Sequence, residues 1–233
     1  MMKKSDFLKG MTHGIPIGLG YLSVSFGFGI TAVKAGLSVL ESTLISLTNL
    51  TSAGQAAGVD VIASGGTLLE MALVQLTINI RYALMALSLS QKLDKSFTFP
   101  HRMAAAFGIT DEIFGVCAAQ SDPLRPSYMY GMILISMFGW VAGTFLGAFA
   151  GQLLPASVSA ALGIVLYGMF LAIIVPPAKK QKSVLCVVLA AAVCSILCKY
   201  LFYQISGGFA VILCAVSASV LGALVFPREE ETS

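Results

Sequence analysis

Residues 127–150 read SYMYGMILISMFGWVAGTFLGAFA. The run carries no charged side chain and is long enough to cross a hydrocarbon core, which takes about 20 apolar residues in a helix. Five further segments share its character, at roughly 13–34, 66–90, 157–176, 183–203 and 207–226. Their ends carry helix-breaking residues: Pro155 follows Gly151-Gln152-Leu153-Leu154, Pro176-Pro177 closes one run and Gly207-Gly208 opens another. The composition of the whole chain agrees. Of 233 residues, 57% are hydrophobic and 11% charged, and the mean hydropathy is +0.89. Soluble domains carry about 25% charged residues. Here 14 basic and 11 acidic side chains are too few to cover a water-facing surface of this size. A soluble globular fold is excluded, and so is disorder, which requires low hydrophobicity. A net charge of +3 is too small for a nucleic-acid footprint. The expected fold is an all-α polytopic integral membrane bundle: one transmembrane domain at 13–226, between a basic N-terminal segment at 1–12 and a charged tail at 227–233. The apolar run after the basic N-terminus continues to about Val33, so it reads as a retained span rather than a cleaved signal.

Two other segments are less regular. Residues 40–60 read LESTLISLTNLTSAGQAAGVD, and residues 101–121 read HRMAAAFGITDEIFGVCAAQS. Each has helical halves around a polar, small-residue centre. Such breaks are tolerated in a bilayer only where they line a cavity or are buried in protein. Basic residues mark the cytoplasmic side. Lys3, Lys4 and Lys9 place the N-terminus there; Lys92, Lys95 and Arg102 form a second cluster, and Lys179, Lys180 and Lys182 a third. All three fall on one side if both broken segments are re-entrant, giving six spans plus two re-entrant segments. If both segments cross, there are eight spans and the second cluster faces outward. The charges favour the first arrangement and the lengths allow the second; both place the two termini in the cytoplasm of a multi-pass cell-membrane protein.

Ionisable groups within a span cost roughly 2.5–3.5 kcal/mol on insertion scales, so they face a cavity or a partner. Three clusters stand out. Asn49, Thr51, Ser52, Gly54 and Gln55 form the first; small residues let the backbone unwind there, and half-helix ends suit the charged termini of an amino acid. Interhelical hydrogen bonding is the alternative role. The second lies on 66–90. Glu70, Thr77 and Arg81 share one face, and Gln75, Asn79 and Tyr82 a neighbouring one. Arg81 sits near the middle of its run, where it can hold a carboxylate or form an ion pair, with Asp111 as a candidate partner. The third is Thr110, Asp111 and Glu112. Adjacent carboxylates in an apolar stretch repel unless one is protonated or paired, which suits a proton-coupled carrier. The same three residues can also cap the half-helix that follows.

Other chemistry is missing. No GxxxxGK[ST] occurs, so the chain has no ATP-driven engine of that type. His13 and His101 lie near span boundaries, leaving Ser52 without a base and no nucleophilic enzyme indicated. The five cysteines, Cys117, Cys186, Cys194, Cys198 and Cys214, all lie in apolar runs and read as small hydrophobes. Cys194 and Cys198 share a helix face, but two thiols do not make a metal site. No metal or cofactor is expected.

The three clusters, in this order, resemble the AzlC family of branched-chain amino-acid permeases. The matching text is AGLSVLESTLISLTNLTSAGQ at 35–55, TINIRYALMALSL at 77–89 and GITDEIFGV at 108–116, with GWVAGTFLGAFAGQLLP and LGIVLYGMFLAII further on. The resemblance places motif positions at Ala53-Gly54-Gln55, Asn79, Arg81 and Thr110-Asp111-Glu112. The family commonly has a histidine after that arginine, where this chain has Tyr82. The resemblance implies export of leucine, isoleucine and valine, in some members methionine, and a small hydrophobic partner of the AzlD type. The resulting expectation is an ion-gradient-coupled exporter, with Asn49, Ser52, Gly54, Gln55, Asn79 and Arg81 toward substrate and Thr110, Asp111 and Glu112 toward the coupling ion. The alternative is an accessory membrane subunit whose partner performs transport.

Overall fold

In the computed structural model of the chain, residues 4–153, 155, 157, 168, 171, 174–201 and 205–227 are described. The bounded helices are α1 (Lys4–Lys34), α2 (Val39–Thr48), α3 (Ser52–Ala63), α4 (Leu68–Ser90), α5 (Phe99–Phe107), α6 (Asp111–Ala118), α7 (Pro126–Leu153), α8 (Lys182–Leu201) and α9 (Gly207–Val225). Residues 174–180 are helical too. The described residues contain no strand, only an isolated bridge between Leu93 and Leu124. Five helices, α1, α4, α7, α8 and α9, are long and apolar enough to cross a membrane. The expected span at 157–176 lies almost wholly outside the described residues. The chain is an all-α membrane bundle. The first helix begins at Lys4, well before the expected position 13, with Asp6 in its first turn, where an acidic side chain complements the helix dipole.

Both irregular segments are broken helices. The first is α2 and α3, of 10 and 12 residues, and the second is α5 and α6, of 9 and 8 residues. At about 1.5 Å per residue none of the four reaches across a hydrocarbon core of about 30 Å. Local chemistry sets their ends. Ser38 and Glu41 form a reciprocal capping box at the start of α2: Ser38 Oγ accepts from the Glu41 N–H at 3.2 Å, and Glu41 Oε2 accepts from the Ser38 N–H at 2.7 Å. The turns after α1 and α3 each close with paired bonds, Leu37 N–H to the Ala32 carbonyl and Gly66 N–H to the Val61 carbonyl. These turns need a left-handed residue, supplied by Gly36 (φ +98°) and Gly65 (φ +68°).

The chain divides into two compact units. Unit 1 comprises Met1–Ala56 and Ile78–Leu166; unit 2 comprises Ala57–Thr77 and Tyr167–Ser233. Unit 1 is built on α1 and α7, which run parallel. Gly10 lies against Tyr128, Gly18 against Ile135, Gly29 against Thr144 and Gly151 against Ile30. Small residues at four-residue spacing, Gly10-Gly14-Gly18 on α1 and Gly139-Gly143-Gly147-Gly151 on α7, bring the two backbones into direct contact. In lipid, where no hydrophobic effect pulls helices together, such close approach supplies the packing attraction. Ile17, Leu50, Leu89, Ile109, Ile113 and Met132 belong to the buried core around this pair.

The loops flanking the second broken segment are tied together. Asp94 N–H donates to the Leu124 carbonyl and Leu124 N–H to the Lys92 carbonyl, both at 2.8 Å. Lys92 Nζ donates to the carbonyls of Ala118 and Gln120, closing the negative end of α6. Arg125 in turn meets Asp6 on α1 at 3.3 Å. Residues 99–118 therefore start and finish at one end of unit 1, beside the start of α1, and make no net crossing. This is the re-entrant form of that segment. Within unit 1, α4 runs opposite to α1, because Arg81 lies at the depth of Tyr21 while Lys92 lies at the depth of Asp6.

Unit 2 contains the α8–α9 pair. Glu70, 3% exposed, accepts hydrogen bonds from the Ser206 hydroxyl and, at 3.1 Å, from the Gly208 N–H at the start of α9. Glu70 thus serves the Ser206 cap at the start of α9. Cys214 of α9 joins Cys194 and Cys198 of α8, so the expectation of only two neighbouring thiols does not hold.

The glycine seam gives the first prediction. A methyl group on Gly139 would strike the backbone of Gly18, and one on Gly143 the Leu22 backbone and Ser25. Overpacking of this kind costs about 1–3 kcal/mol. Gly139→Ala and Gly143→Ala should lower the thermal unfolding midpoint in detergent, whereas Gly20→Ala, which meets nothing within 4 Å, should not.

Candidate functional site

The breaks of the two broken helices meet inside unit 1. In the first, α2 ends at Asn49, whose extended backbone (φ −141°, ψ 103°) still donates to the Ile45 carbonyl at 2.9 Å. Leu50 and Thr51 then bridge to α3. Thr51 Oγ1 accepts from the Gly54 N–H at 3.3 Å, satisfying a donor that a helix start leaves open. In the second, Gly108 and Ile109 bridge to Thr110, the N-cap of α6, whose Oγ1 accepts from the Ile113 N–H at 3.4 Å. A side chain on Gly108 would collide with Ile133 of α7, so this turn packs closely on the α1–α7 scaffold.

Helix α4 joins the two breaks. Arg81 Nη1 donates to Asp111 Oδ2 at 2.5 Å, and Nη2 donates to the Tyr82 hydroxyl at 3.3 Å. The guanidinium also lies 4.9 Å from the centroid of the Tyr82 ring, within cation–π range. Tyr82 donates to Thr51 Oγ1 at 3.1 Å, and Thr51 donates to Asn79 Oδ1 at 3.0 Å. A continuous set of hydrogen bonds thus runs from the α6 carboxylate through α4 to the first break. Asp111 and Glu112 both lie in the first turn of α6, where the helix dipole favours their charge. The arginine pair is only half-buried, with side-chain exposures of 41% and 35%.

Helix α1 contributes Tyr21, which the sequence did not single out. Its hydroxyl lies 2.5 Å from Glu112 Oε2 and 2.6 Å from Thr110 Oγ1. It has one proton, and an ionised carboxylate only accepts, so Tyr21 donates to Glu112 and accepts from Thr110. A lone tyrosine in an apolar run was the available signal. The Tyr21 ring packs edge-on against Trp140 at 5.2 Å. Trp140, the only tryptophan in the chain, donates to Gln55 Oε1 at 3.0 Å, and Gln55 Nε2 donates to Ser46 Oγ at 3.1 Å. Ser46 meets Thr144 of α7 at 2.7 Å.

The expected site residues therefore separate. Asn79, Arg81, Thr110, Asp111 and Glu112 converge with Thr51, Tyr21 and Tyr82. Gln55 does not join them: it is 1% exposed and clamps α3 to α2 and α7 with both ends of its amide. Asn49 and Ser52 are half-buried at the first break, and their side chains make no hydrogen bond among the described residues. Gly54 is buried beneath Thr51. His13 and His101 lie apart, bonded to Tyr128 and Tyr130 of α7, each at 2.8 Å. A polar cavity of about 320 Å³ opens at the end of unit 1 where α1 begins, lined by Asp6, Lys9, Asp94, Asp122, Arg125 and Tyr128 among others. There Ser96 donates to Asp94 through its N–H and hydroxyl, which holds that carboxyl below its ordinary range.

The family model described as AzlC protein matches residues 16–154, which contain every residue of this cluster. The chain belongs to the AzlC family. This is a family of membrane proteins of the transport type. Over 80% of its length the chain is 31% identical to 78% of the Escherichia coli K12 inner membrane protein YgaZ. It is 33% identical over 77% of its length to 79% of an Archaeoglobus fulgidus protein described as an uncharacterized membrane protein. A Helicobacter pylori J99 membrane protein, also described as uncharacterized, is 25% identical over 63% of this chain and 67% of its own. No solved structure matches the chain.

Gln55 supplies the second prediction. Gln55→Ala strands the Trp140 N–H and leaves the Ser46 hydroxyl one partner short, a loss of about 1–3 kcal/mol for buried polar groups. Its thermal unfolding midpoint should fall clearly, whereas Asn49→Ala, which breaks no side-chain hydrogen bond, should leave the midpoint close to that of the unmodified chain.

Proposed function

We propose that this AzlC-family protein is a secondary transporter that exports branched-chain amino acids (leucine, isoleucine and valine), with methionine as a further substrate, across the cytoplasmic membrane. In this reading both termini are cytoplasmic, an ion gradient drives transport, and a small AzlD-type membrane subunit assembles with the chain. The observation that carries it is the meeting of two helix breaks around a half-buried Arg81–Asp111 pair. Broken helices near mid-membrane are where secondary transporters hold small charged substrates.

The geometry suggests how such a site works. An amino-acid zwitterion can replace the ion pair, its carboxylate taking the Arg81 fork and its ammonium taking Asp111 or Glu112. Asn49, Ser52 and Asn79 then offer polar contacts at the first break, and Gln55 acts behind them as a positioning residue. A proton on the same carboxylate competes with the ammonium. Competition between proton and substrate for one group is what exchange of substrate outward for a proton inward requires.

The test is leucine counterflow into proteoliposomes, with the chain alone and with the small subunit. Uptake should saturate and be competed by isoleucine and valine but not by lysine. The double variant Asp111→Asn, Glu112→Gln should reduce proton-gradient-driven flux by about tenfold or more, in the range by which positioned proton-transfer groups act. Unchanged flux in that variant contradicts the coupling role. No uptake by folded protein in either preparation points to another substrate or to an accessory subunit.

A further inference from the structure

Cys194 and Cys198 stand one turn apart on α8, and Cys214 faces them from α9. The three Sγ atoms all lie within 4.8 Å of one another, with Cys198 and Cys214 at 4.0 Å. Cys198 is buried and the other two are half-buried. Among the described residues this is the one group of three or more histidine, cysteine or acidic side chains with ligand atoms so placed. All three belong to unit 2, whereas the Arg81 cluster belongs to unit 1.

We infer that these three cysteines form a binding site for a soft, thiophilic metal ion of the copper(I) class, held in trigonal thiolate coordination. Metal–thiolate bonds run to about 2.3 Å, so a planar three-sulfur site sets its sulfurs about 4.0 Å apart, and a linear two-sulfur site about 4.6 Å apart. The Cys198–Cys214 separation of 4.0 Å matches the trigonal value, and the other two separations are at most 4.8 Å. Thiolate donors alone select soft ions over magnesium, calcium or manganese, and three donors fall short of the four that structural zinc takes. A hollow of about 650 Å³, lined by Ser195, Cys198, Lys199, Gly207 and Cys214 among others, gives an ion a way in. Lys199 brings a positive charge to the wall of that hollow, which offsets the negative charge that thiolates create in an apolar setting. Binding forms the metal–sulfur bonds, and each ligating thiol loses its proton to solvent. The ion arrives and remains as copper(I), so no electron is transferred. The site would bridge α8 and α9.

The experiment is anaerobic titration of the purified full chain in detergent with copper(I), against a competing colorimetric chelator. X-ray absorption on the loaded protein reports the sulfur coordination. One equivalent should bind, with three sulfurs at about 2.3 Å. Cys214→Ala and Cys194→Ala should each weaken binding by about tenfold or more, since loss of even an outer-shell partner costs 10–100-fold. Cys117→Ala and Cys186→Ala should bind as the unmodified chain does. The coordination number is read on the unmodified chain, so a variant that fails to fold leaves the inference open to refutation. Absence of binding, a two-sulfur site, affinity unchanged by Cys214→Ala, or a Cys198–Cys214 disulfide that persists under reducing preparation overturns it.

Discussion

The Arg81–Asp111 ion pair is the contact on which the arrangement of unit 1 turns. A broken helix exposes backbone donors and acceptors that lipid cannot satisfy, so each break must find polar partners within the protein. This chain has two breaks, and one arginine serves both. One amine of its guanidinium holds the first turn of α6, and another reaches Tyr82, which passes the bond on to Thr51 at the first break. Tyr21 completes the set from α1 through Glu112 and Thr110. This set of interactions binds four elements, and the ion pair at its centre remains half-exposed.

Everything else in unit 1 supports that geometry. The parallel α1–α7 pair forms a rigid floor because glycine at four-residue spacing lets the backbones touch. Gln55 and Trp140 fix α3 and α2 against it, and Gly108 lets the second break press against Ile133. At the far end of the hairpin, Lys92 caps α6 and the Leu93–Leu124 bridge closes the loops. Most of the polar residues at the breaks hold them in place, while Asn49 and Ser52 stand half-buried at the first break.

The sequence shows the breaks because their residues are incompatible with a regular lipid-facing helix. Thr-Asn-Leu-Thr-Ser and Gly-Ile-Thr-Asp-Glu interrupt apolar runs with groups that need partners. It also shows that Arg81 is too deep to be an end charge, with Asp111 as a candidate partner. Charge placement likewise favoured re-entrant segments, and the tied loops around 99–118 follow that pattern. Tertiary partners were not legible. Nothing local marks Tyr21 as the partner of Glu112, or Trp140 as the partner of Gln55, since each pair is more than eighty residues apart. Gln55 looked like a ligand residue because polarity in a span has the same signature whether it serves packing or binding. Cys214 could not be joined to Cys194 and Cys198 before the facing of α8 and α9 was known.

The most direct test is a double-mutant cycle on the pair itself. Thermal stability in detergent would be measured for the unmodified chain, Arg81→Met, Asp111→Asn and the combined variant. Residues in direct contact show coupling energies of about 0.5–3 kcal/mol. The account predicts coupling in that range, with the double variant more stable than the sum of the single losses allows, because each single variant strands a charge in the membrane and the double variant strands none. Additive losses, with no coupling between the two positions, would contradict it.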